Sequence, residues 1–410
     1  MKASGGLVLT FKGSPRVGGR AGARSALVAI ATAVALTAAV TPVMAAGGGD
    51  APGFGPPNAS ALEAAISGLP NPVITGSLVD IDGTDGSWSG VSGLGDVARR
   101  TAPSPDARFR IGSVTKVFTA IVTLQLVAEH RVSLDRSIQQ YLPGVLPADF
   151  PPITVAELLN HTSGLPGVDV GHDESDPAGF VAHRFEHPTP TQIEAGLGGQ
   201  QMSFPPGTEQ QYNGINYFLL GSLIEQVTGH SYASEVERRV IRPLRLSDTE
   251  VPAATDYRIR GPQLHGYLSV GTDGSSQLVD VTRQSPYPWA EGGMISSVRD
   301  LDTLVKRLFA GRLLPSAELN DMFAVPDVPY PGNSQCQLGN PGRACFGMGL
   351  MSATIGGVTV WGKTGSRPGY TDGAFATRDG RRVLVYAFTP TSESANTAPF
   401  LLGIARAALN

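Results

Sequence analysis

The chain has 410 residues, of which 41% are hydrophobic and 16% charged, and its formal net charge is −4. These values exclude a disordered chain and allow one large core or two lobes that share a cleft. Because the charge is nearly balanced and no basic run interleaved with aromatics follows residue 46, we expect no nucleic-acid partner.

The first segment has the composition of an export signal. A basic lead is followed by the small apolar run 26–40 and by small residues around Ala45 and Ala46. This order is typical of a cleaved signal peptide, and the run is short for an uncleaved membrane anchor, which is the alternative. We predict a signal peptide at 1–46, a flexible leader at 47–57, and a secreted protein without a stable membrane anchor.

The next segments predict a short helix followed by two strands. "NASALEAAISGLP" begins with the capping residues Asn58 or Ser60 and is typical of a helix. "PVITGSLVDIDG" and "GSWSGVSGLGD" are alternating, β-branched segments separated by Asp/Gly turns. They therefore predict antiparallel strands.

Ser113 and Lys116 in "FRIGSVTKVFTA" form an S-x-x-K motif at the start of a predicted helix over 113–130. A spacing of three places both side chains on one helical face, and the helix N-terminus favours developing negative charge. A serine hydroxyl becomes nucleophilic when a base takes its proton, and a desolvated lysine near another cation has its pKa lowered toward that role. S-x-x-K is an acyl-transfer signature, although an isolated match is more often a capping serine followed by an exposed lysine.

Lysine is scarce after the export segment, where only Lys116, Lys306 and Lys363 occur. Arginine can replace lysine as a surface charge but cannot act as a base, so these positions are of interest. Lys306 lies on the polar face of a predicted surface helix and needs no function.

The middle of the chain is predicted to be mainly helical. "ITVAELLNHTSG" and "INYFLLGSLIEQVTGHSYASEVERRVI" have helical periodicity, and 169–191 is rich in Asp, Pro, His and Gly and predicts a loop or irregular insertion. Strands at both ends with helices between them predict an α/β (α+β) fold, an antiparallel sheet with an inserted helical lobe. We assign 58–112 plus 258–410 to the sheet lobe and 113–257 to the helical lobe, with the site in the cleft.

The two cysteines, Cys336 and Cys345, flank an Asn-Pro-Gly turn. In an oxidising compartment this spacing favours a structural disulfide. Neither cysteine has the neighbours of a thiolate nucleophile.

"GVTVWGKTG" matches the phosphate-loop pattern G-x-x-x-x-G-K-[ST]. A phosphate loop must open a helix, but Val-Thr-Val-Trp favours strand and "SRPGY" does not begin a helix. As strand residues, Lys363 and Thr364 can present an ammonium and a hydroxyl to a substrate carboxylate, and Gly365 allows close approach. "DGAFATRDG" and "RRVLVYAFTP" predict further strands, and "TAPFLLGIARAAL" predicts a terminal helix.

The chain resembles the secreted serine hydrolases that include class C β-lactamases and D-alanyl-D-alanine carboxypeptidases. The resemblance covers nearly the whole mature chain and rests on segments that follow the order of the family: "FRIGSVTKVFTA", "LLNHTSGLPG", "FPPGTEQQYNGINYFLLG", "GGMISSVRDLD" and "GKTGSRPGYTDGAFATRDGRR". It implies that Ser113 is the acylated nucleophile, Lys116 its proton acceptor, and Tyr212 the residue that passes a proton to the leaving group. It also implies an oxyanion hole from the backbone of Ser113 and Ser366, and no cofactor.

The chain departs from the Y-x-N pattern of that family, because Tyr212 is followed by Asn213 and Gly214. The amide that binds the acyl group of the substrate in the family is therefore missing from its usual position. Asn213 or Asn216 are the candidate replacements. Without a replacement, an esterase or amidase of different specificity becomes the better interpretation.

Two further histidine patterns are weaker hypotheses. "HRFEH", from His183 to His187, fits a zinc-peptidase pattern, but it needs a longer helix than the flanking prolines allow, so we predict no metal site. His161 is interpreted as a structural histidine, because no G-x-S-x-G elbow for a Ser-His-Asp triad occurs.

The sequence therefore predicts an exported serine hydrolase with an acyl-enzyme mechanism, acting on D-Ala-D-Ala peptides, β-lactams or esters. The alternatives are an esterase or amidase of the same fold and a penicillin-binding sensor without turnover.

Overall fold

Alternating, β-branched segments from both ends of the chain form the main sheet. A computed structural model describes residues 54–168, 176–271, 276–331, 336, 338–339 and 341–409. The signal peptide and residues 47–53 of the leader lie outside the described residues. The described strands are β1 (Ile74–Gly83), β2 (Trp88–Gly93), β3 (Arg108–Arg110), β4 (Tyr267–Val270), β5 (Gln277–Asp280), β6 (Ile295–Ser297), β7 (Met351–Ile355), β8 (Val358–Arg367), β9 (Tyr370–Thr377) and β10 (Arg382–Pro390).

Six of these strands form one antiparallel sheet in the order β2-β1-β10-β9-β8-β7. The predicted strands at the two ends are confirmed, and β1 pairs directly with β10, with Leu78 opposite Ala387. β8 pairs with β9 along Val360 to Arg367. β7 covers the other edge of β8 only as far as Gly362, so the edge that follows from Lys363 has no partner strand among the described residues.

Helices occupy the centre and both ends of the described chain. Ser113 falls in a 3-10 turn, Gly112–Val114, and a π-helical segment, Glu237–Ile241, follows α8. The α-helices are α1 (Ala59–Ala65), α2 (Thr115–Ala128), α3 (Ile138–Tyr141), α4 (Val155–Leu159), α5 (Pro177–His183), α6 (Pro190–Ala195), α7 (Ile215–Thr228), α8 (Tyr232–Val236), α9 (Arg242–Leu244), α10 (Trp289–Gly292), α11 (Val298–Phe309), α12 (Ser316–Met322) and α13 (Ala398–Leu409).

Helix α2 is the centre of the larger core. Its residues are buried almost all round, from Thr115 to Leu126, and it contacts α7, α8, α10 and α12. A helix that is apolar on every side is stable only inside a fold, which explains why α2 is enclosed. Its polar residues Lys116 and Thr119 are buried with it and therefore need partners.

Helix α11 is amphipathic and packs on the sheet. Leu301, Leu304 and Leu308 are buried, and α11 contacts β1, β9 and β10. Lys306 is partly exposed and pairs with Asp82 of β1 and with Asp302, which agrees with the surface role expected for this lysine.

The insertion differs from the sequence prediction. Residues 169–175 lie outside the described residues, but the remainder of 169–191 contains α5 and the first two residues of α6. Thr189 caps α6 with a reciprocal capping box, and Asp176 caps α5. Strong caps next to prolines at the first turn therefore outweigh the loop-forming composition.

The described residues from 54 onward form one compact unit. The division into a sheet lobe and a helical lobe stays a prediction. In the part of the chain that the structure describes, no helix has both the length and the apolar character needed to cross a bilayer.

Candidate active site

Ser113 lies where the turn before α2 meets strand β8. Gly112 has a φ of +44°, and a Cβ on it would lie 2.6 Å from the Ser366 nitrogen and 2.3 Å from its carbonyl oxygen. Only glycine permits this contact. The backbone of Ser113 and that of Ser366 therefore lie side by side, which suits the oxyanion hole that the family resemblance implies.

Lys116 is fully buried and points at Ser113. Its Nζ lies 3.1 Å from Ser113 Oγ and 2.7 Å from the Glu291 carbonyl oxygen, and it forms an ion pair with the Glu291 carboxylate. Burial lowers the pKa of Lys116, but the Glu291 carboxylate and Tyr212 more than offset this, so its pKa is raised. The expected lowering of the Lys116 pKa is therefore wrong, because the sequence did not indicate the carboxylate partner.

Tyr212 also contacts Ser113 and lies close to Lys116, whose Nζ is 5.0 Å from the centre of its ring. Its hydroxyl donates to Ser113 Oγ at 2.7 Å, and its ring lies 4.6 Å from the ring of His161 and 5.3 Å from that of Phe346. Burial raises the pKa of the Tyr212 hydroxyl, while the charge of Lys116 lowers it. Its net pKa is raised, so the resting phenol keeps its proton and can donate it.

Lys363 on β8 is the second buried cation of the site. Its Nζ donates to the Thr364 carbonyl oxygen at 2.9 Å and lies 4.8 Å from the centre of the Tyr212 ring. Burial and then the charge of Lys116 lower the pKa of Lys363 to about 7, although Asp372 opposes the shift. Near neutral pH, Lys363 is thus divided between its charged and neutral forms.

The other β8 residues have distinct positions. The Thr364 hydroxyl lies 3.4 Å from Lys363 Nζ and 3.8 Å from Met351 Sδ, whereas Ser366 is exposed. A Cβ on Gly365 would lie 2.1 Å from the Ile111 carbonyl oxygen, so glycine is required where β8 meets the turn. Substrate contact by Thr364, Gly365 and Ser366 stays a prediction.

Both candidate asparagines are hydrogen-bonded to other parts of the protein. Asn213 Nδ2 donates to the carbonyl oxygens of Leu165 and Pro166 at 2.8 and 3.0 Å. Asn216 is fully buried, accepts from Ser163 Oγ at 2.7 Å and lies 3.2 Å from His161 Nδ1. Both amides are thus engaged in holding loops, and Asn216 is shielded from any substrate.

His161 has the structural environment that the sequence suggests. It is buried, and its Nδ1 accepts from the Asn213 backbone at 3.3 Å. Burial and then the charge of Lys116 lower its pKa well below the usual range, so its imidazole is neutral.

Two site residues were not predicted from the sequence. Glu291 on α10 pairs with Lys116, and the fully buried Gln210 donates from Nε2 to the carbonyl oxygens of Asn160 and Phe346 at 2.7 and 2.8 Å. Gln210 Oε1 also accepts from the Phe346 backbone at 3.0 Å, which fixes the chain just before Tyr212. For Glu291, the signal available in the sequence was a lone carboxylate in the apolar segment "WAEGG", because a buried charge needs a partner.

The remaining sequence motifs have structural settings. Cys336 and Cys345 form a disulfide. The phosphate-loop match lies in β8, as the strand interpretation requires. α5 ends at His183, so His183 and His187 do not share a helical face.

The arrangement contains the parts of acyl transfer. Ser113 Oγ contacts both an ammonium and a phenol, and the backbone at Gly112 lies against that of Ser366. The fold and this site define a serine hydrolase of the β-lactamase and penicillin-binding superfamily.

A protein-family model described as Beta-lactamase matches residues 62–405. The chain therefore belongs to the β-lactamase family, which confirms the resemblance and the fold class predicted from the sequence.

Solved structures with the same fold include two amide hydrolases. A D-stereospecific amidohydrolase from Streptomyces sp. is 32% identical with a TM-score of 0.72, over 84% of this chain and 98% of that one. The D-amino acid amidase from Ochrobactrum anthropi SV3 is 23% identical with a TM-score of 0.70, over 85% and 98%, and shows the fold alone.

The curated relative flp matches a smaller part of this chain. Protein flp of Staphylococcus aureus strain NCTC 8325 is 26% identical over 217 residues, which is 52% of this chain and 41% of flp. The alignment therefore spans less than half of flp.

Proposed function

We propose that the protein hydrolyses amide bonds in D-configured substrates through an acyl-enzyme on Ser113. The observation that carries the proposal is the convergence of Lys116 Nζ and Tyr212 OH on Ser113 Oγ, at 3.1 and 2.7 Å. The 32% identity to a D-stereospecific amidohydrolase supports an amide substrate. The loss of a side chain at Gly214 supports a specificity that differs from that of the Y-x-N enzymes.

In this proposal Ser113 Oγ attacks the acyl carbon while its proton moves to Lys116 Nζ, which as an ammonium must release one of its own protons. The oxyanion lies between the backbone nitrogens of Ser113 and Ser366. Tyr212 protonates the leaving amine, and water then releases the acyl group by the reverse proton path.

D-Alanyl-D-alanine carboxypeptidase or β-lactamase-type activity is the second candidate. It is favoured by Lys363, a buried ammonium on the free edge of β8. A substrate carboxylate would stabilise the charged form of this lysine, whose pKa is about 7 without substrate. Carboxylate-ended substrates should then bind more weakly as the pH rises above neutral, whereas amide-ended substrates should not.

A hydrolysis panel separates these functions. It should compare a D-amino acid amide, its L-enantiomer, a D-Ala-D-Ala peptide, a chromogenic cephalosporin and a short-chain ester. We expect the D-amide to be turned over in preference to the L-amide. Preference for the peptide or cephalosporin would support the second candidate, and ester turnover alone would support an esterase. A stable penicillin adduct on Ser113, seen by intact mass without turnover, would indicate a sensor.

Variants of Ser113 and Lys116 test the mechanism. Ser113→Ala should abolish turnover, and Lys116→Arg should reduce kcat by about 100-fold or more, because a guanidinium does not exchange its proton. Lys306→Arg is the matched control on the outer side of α11 and should leave kcat unchanged. An active Lys116→Arg enzyme would exclude Lys116 from proton transfer.

We also propose that the protein is exported. The basic and apolar segments of 1–46 support this. Amino-terminal sequencing of protein from the culture medium should show a mature chain that begins just after Ala45 or Ala46, and retention of residues 1–46 would contradict cleavage.

A further inference from the structure

Glu291 is held in place by the first turns of α2. The Thr115 hydroxyl accepts from the Met294 backbone at 3.2 Å, and the Thr119 hydroxyl donates to the Ala290 carbonyl at 2.6 Å. These bonds fix the chain on both sides of Glu291. The position of its side chain is therefore set by the helix that also carries the nucleophile motif.

The carboxylate of Glu291 lies directly behind Lys116. Lys116 Nζ contacts Ser113 Oγ on one side and Glu291 Oε2 on the other, while its side chain has 0% exposure. The Glu291 side chain retains 22% exposure. The three groups form an unbroken hydrogen-bonded line from the hydroxyl through the amine to the carboxylate.

Gly214 leaves the space that Glu291 occupies. A Cβ on Gly214 would lie 3.3 Å from Glu291 Cδ and 3.3 Å from its Oε2, which is tighter than ordinary packing. A longer side chain at 214 would therefore displace the carboxylate. Glycine at position 214 therefore allows the Glu291 carboxylate to occupy its place next to Lys116.

Lys116 cannot accept the Ser113 proton without releasing one of its own, because it is already an ammonium. The other titratable groups around the line are Tyr212, Tyr217, Lys363 and His161, and none of them carries negative charge: the pKa values of Tyr212 and Tyr217 are raised, that of Lys363 is about 7, and that of His161 is lowered. Among the described residues, Glu291 is the carboxylate that pairs with Lys116.

We propose that Glu291 is a positioning residue for Lys116 that accepts the proton displaced during acylation. As the bond from Ser113 Oγ to the acyl carbon forms, the Ser113 proton moves to Lys116 Nζ and one Lys116 proton moves to Glu291 Oε2. When the bond to the leaving group breaks, a proton passes from Tyr212 to the leaving atom, and the Glu291 proton returns to Tyr212 through Lys116, which is hydrogen-bonded to the Tyr212 hydroxyl. The proton count is unchanged, and the proposal rests on the proposed role of Ser113 as nucleophile.

Glu291→Gln tests this relay with a fluorophosphonate probe. The probe needs only a deprotonated Ser113, whose Oγ forms a bond to phosphorus as fluoride leaves. The amide of glutamine cannot accept a proton, so Lys116 must first lose its own. We expect labelling near neutral pH to be about 100-fold slower, and the rising limb of the rate against pH to move to alkaline pH.

The direction of the pH shift distinguishes the relay from a mechanism in which Lys116 acts as a base alone. If Lys116 acts as a base alone, removal of the neighbouring anion lowers its pKa and moves the rising limb to lower pH. That result would overturn the relay. Glu129→Gln is the matched control, because Glu129 lies at the other end of α2, pairs with Arg239 and is 41% exposed. Its labelling profile should equal that of the wild type.

Glu291→Asp covers the case in which Glu291→Gln does not fold. The shorter carboxylate still accepts a proton, so labelling should be slower while the rising limb stays on the same side of neutral pH as in the wild type. A limb in the alkaline range for Glu291→Asp would contradict the relay.

The labelling assay also separates this inference from the proposed function. If the wild type is labelled and Glu291→Gln shows the expected shift, but the wild type cleaves no D-amide, the relay is supported and the proposed substrate is wrong. If the wild type cleaves D-amides but the rising limb of Glu291→Gln moves to lower pH, only the relay is wrong. A wild-type protein that is not labelled at any pH overturns both.

Discussion

The two buried lysines of the site differ because their neighbours differ. Lys116 faces the carboxylate of Glu291, which raises its pKa in spite of burial. Lys363 lies against the rings of Tyr212 and Phe346, and burial, followed by the charge of Lys116, lowers its pKa to about 7. One side chain therefore carries a fixed charge, and the other carries a charge that depends on pH.

Lys363→Met should stabilise the protein below neutral pH. Lys363 titrates at about 7 in the folded protein against 10.5 in the unfolded chain, so the unfolded chain binds more protons between these values and wild-type stability rises with pH across this window. Below it, both states are charged and the full cost of burying the ammonium applies. The thioether of methionine fits the aromatic contacts without that cost.

Urea unfolding at a series of pH values measures this effect. The gain in free energy of unfolding for Lys363→Met should be greatest below about 7 and should vanish toward 10.5. Lys306→Met is the control with the opposite sign, because Lys306 is paired with Asp82 and Asp302 and its pKa is raised. A gain that does not change with pH would contradict the titration of Lys363 in this window.

The sequence indicates those site residues whose role follows from local spacing. Ser113 and Lys116 are one helical turn apart, and the strand pattern around Lys363 excludes a phosphate loop. Glu291 reaches Lys116 across 175 positions of sequence, and no local pattern encodes that contact. The raised pKa of Lys116 could not be predicted for the same reason.

Strand β8 and the turn before α2 lie in close backbone contact because glycines stand at the two contact points. Gly112 contacts Ser366, and Gly365 contacts Ile111. These two contacts set the distance between the nucleophile and the strand that is proposed to bind substrate.

Gly365→Ala should separate β8 from the nucleophile turn. The new Cβ would lie 2.1 Å from the Ile111 carbonyl oxygen, and both are backbone-fixed, so one element must shift. A displacement of about 1 Å can reduce kcat/KM by about 100-fold. The rate of Ser113 labelling and kcat/KM on the preferred substrate should both fall.

Gly167→Ala is the control for that substitution. A Cβ added to Gly167 would have no heavy atom within 4 Å, and the φ of Gly167 lies outside the left-handed region, so alanine should leave the rate unchanged. A Gly365→Ala enzyme with wild-type kcat/KM would show that the contact does not position the site.

Long periodic elements were predicted well, whereas most short ones were not. α2, α7, α13 and the end strands follow their hydrophobic patterns, and the short α1 follows its capping residue Asn58. β3 and β6 have only three residues each, too few for a pattern, and they form because distant backbones meet. The short α5 and α6 depend on caps, whose effect the Pro- and Gly-rich composition concealed.

The main sheet joins the two ends of the described chain, so its stability is a property of the whole fold. β10 is buried along its whole length between β1 and β9, whereas β5 is mostly exposed in a two-stranded sheet. Amides of β10 should exchange with deuterium only on global unfolding, and those of β5 by local opening.

Hydrogen exchange followed by mass spectrometry tests this difference. Peptides from β10 should report the free energy of unfolding found with urea, and peptides from β5 should exchange much faster. Equal protection of the two strands would contradict a stability centre in the six-stranded sheet.

The pairing of β1 with β10 sets an order of events during synthesis. The nucleophile turn lies against β8, and β8 joins the early strands only through β9 and β10. We therefore expect a ribosome-bound chain that has not yet released its last strand to lack the assembled site proposed around Ser113.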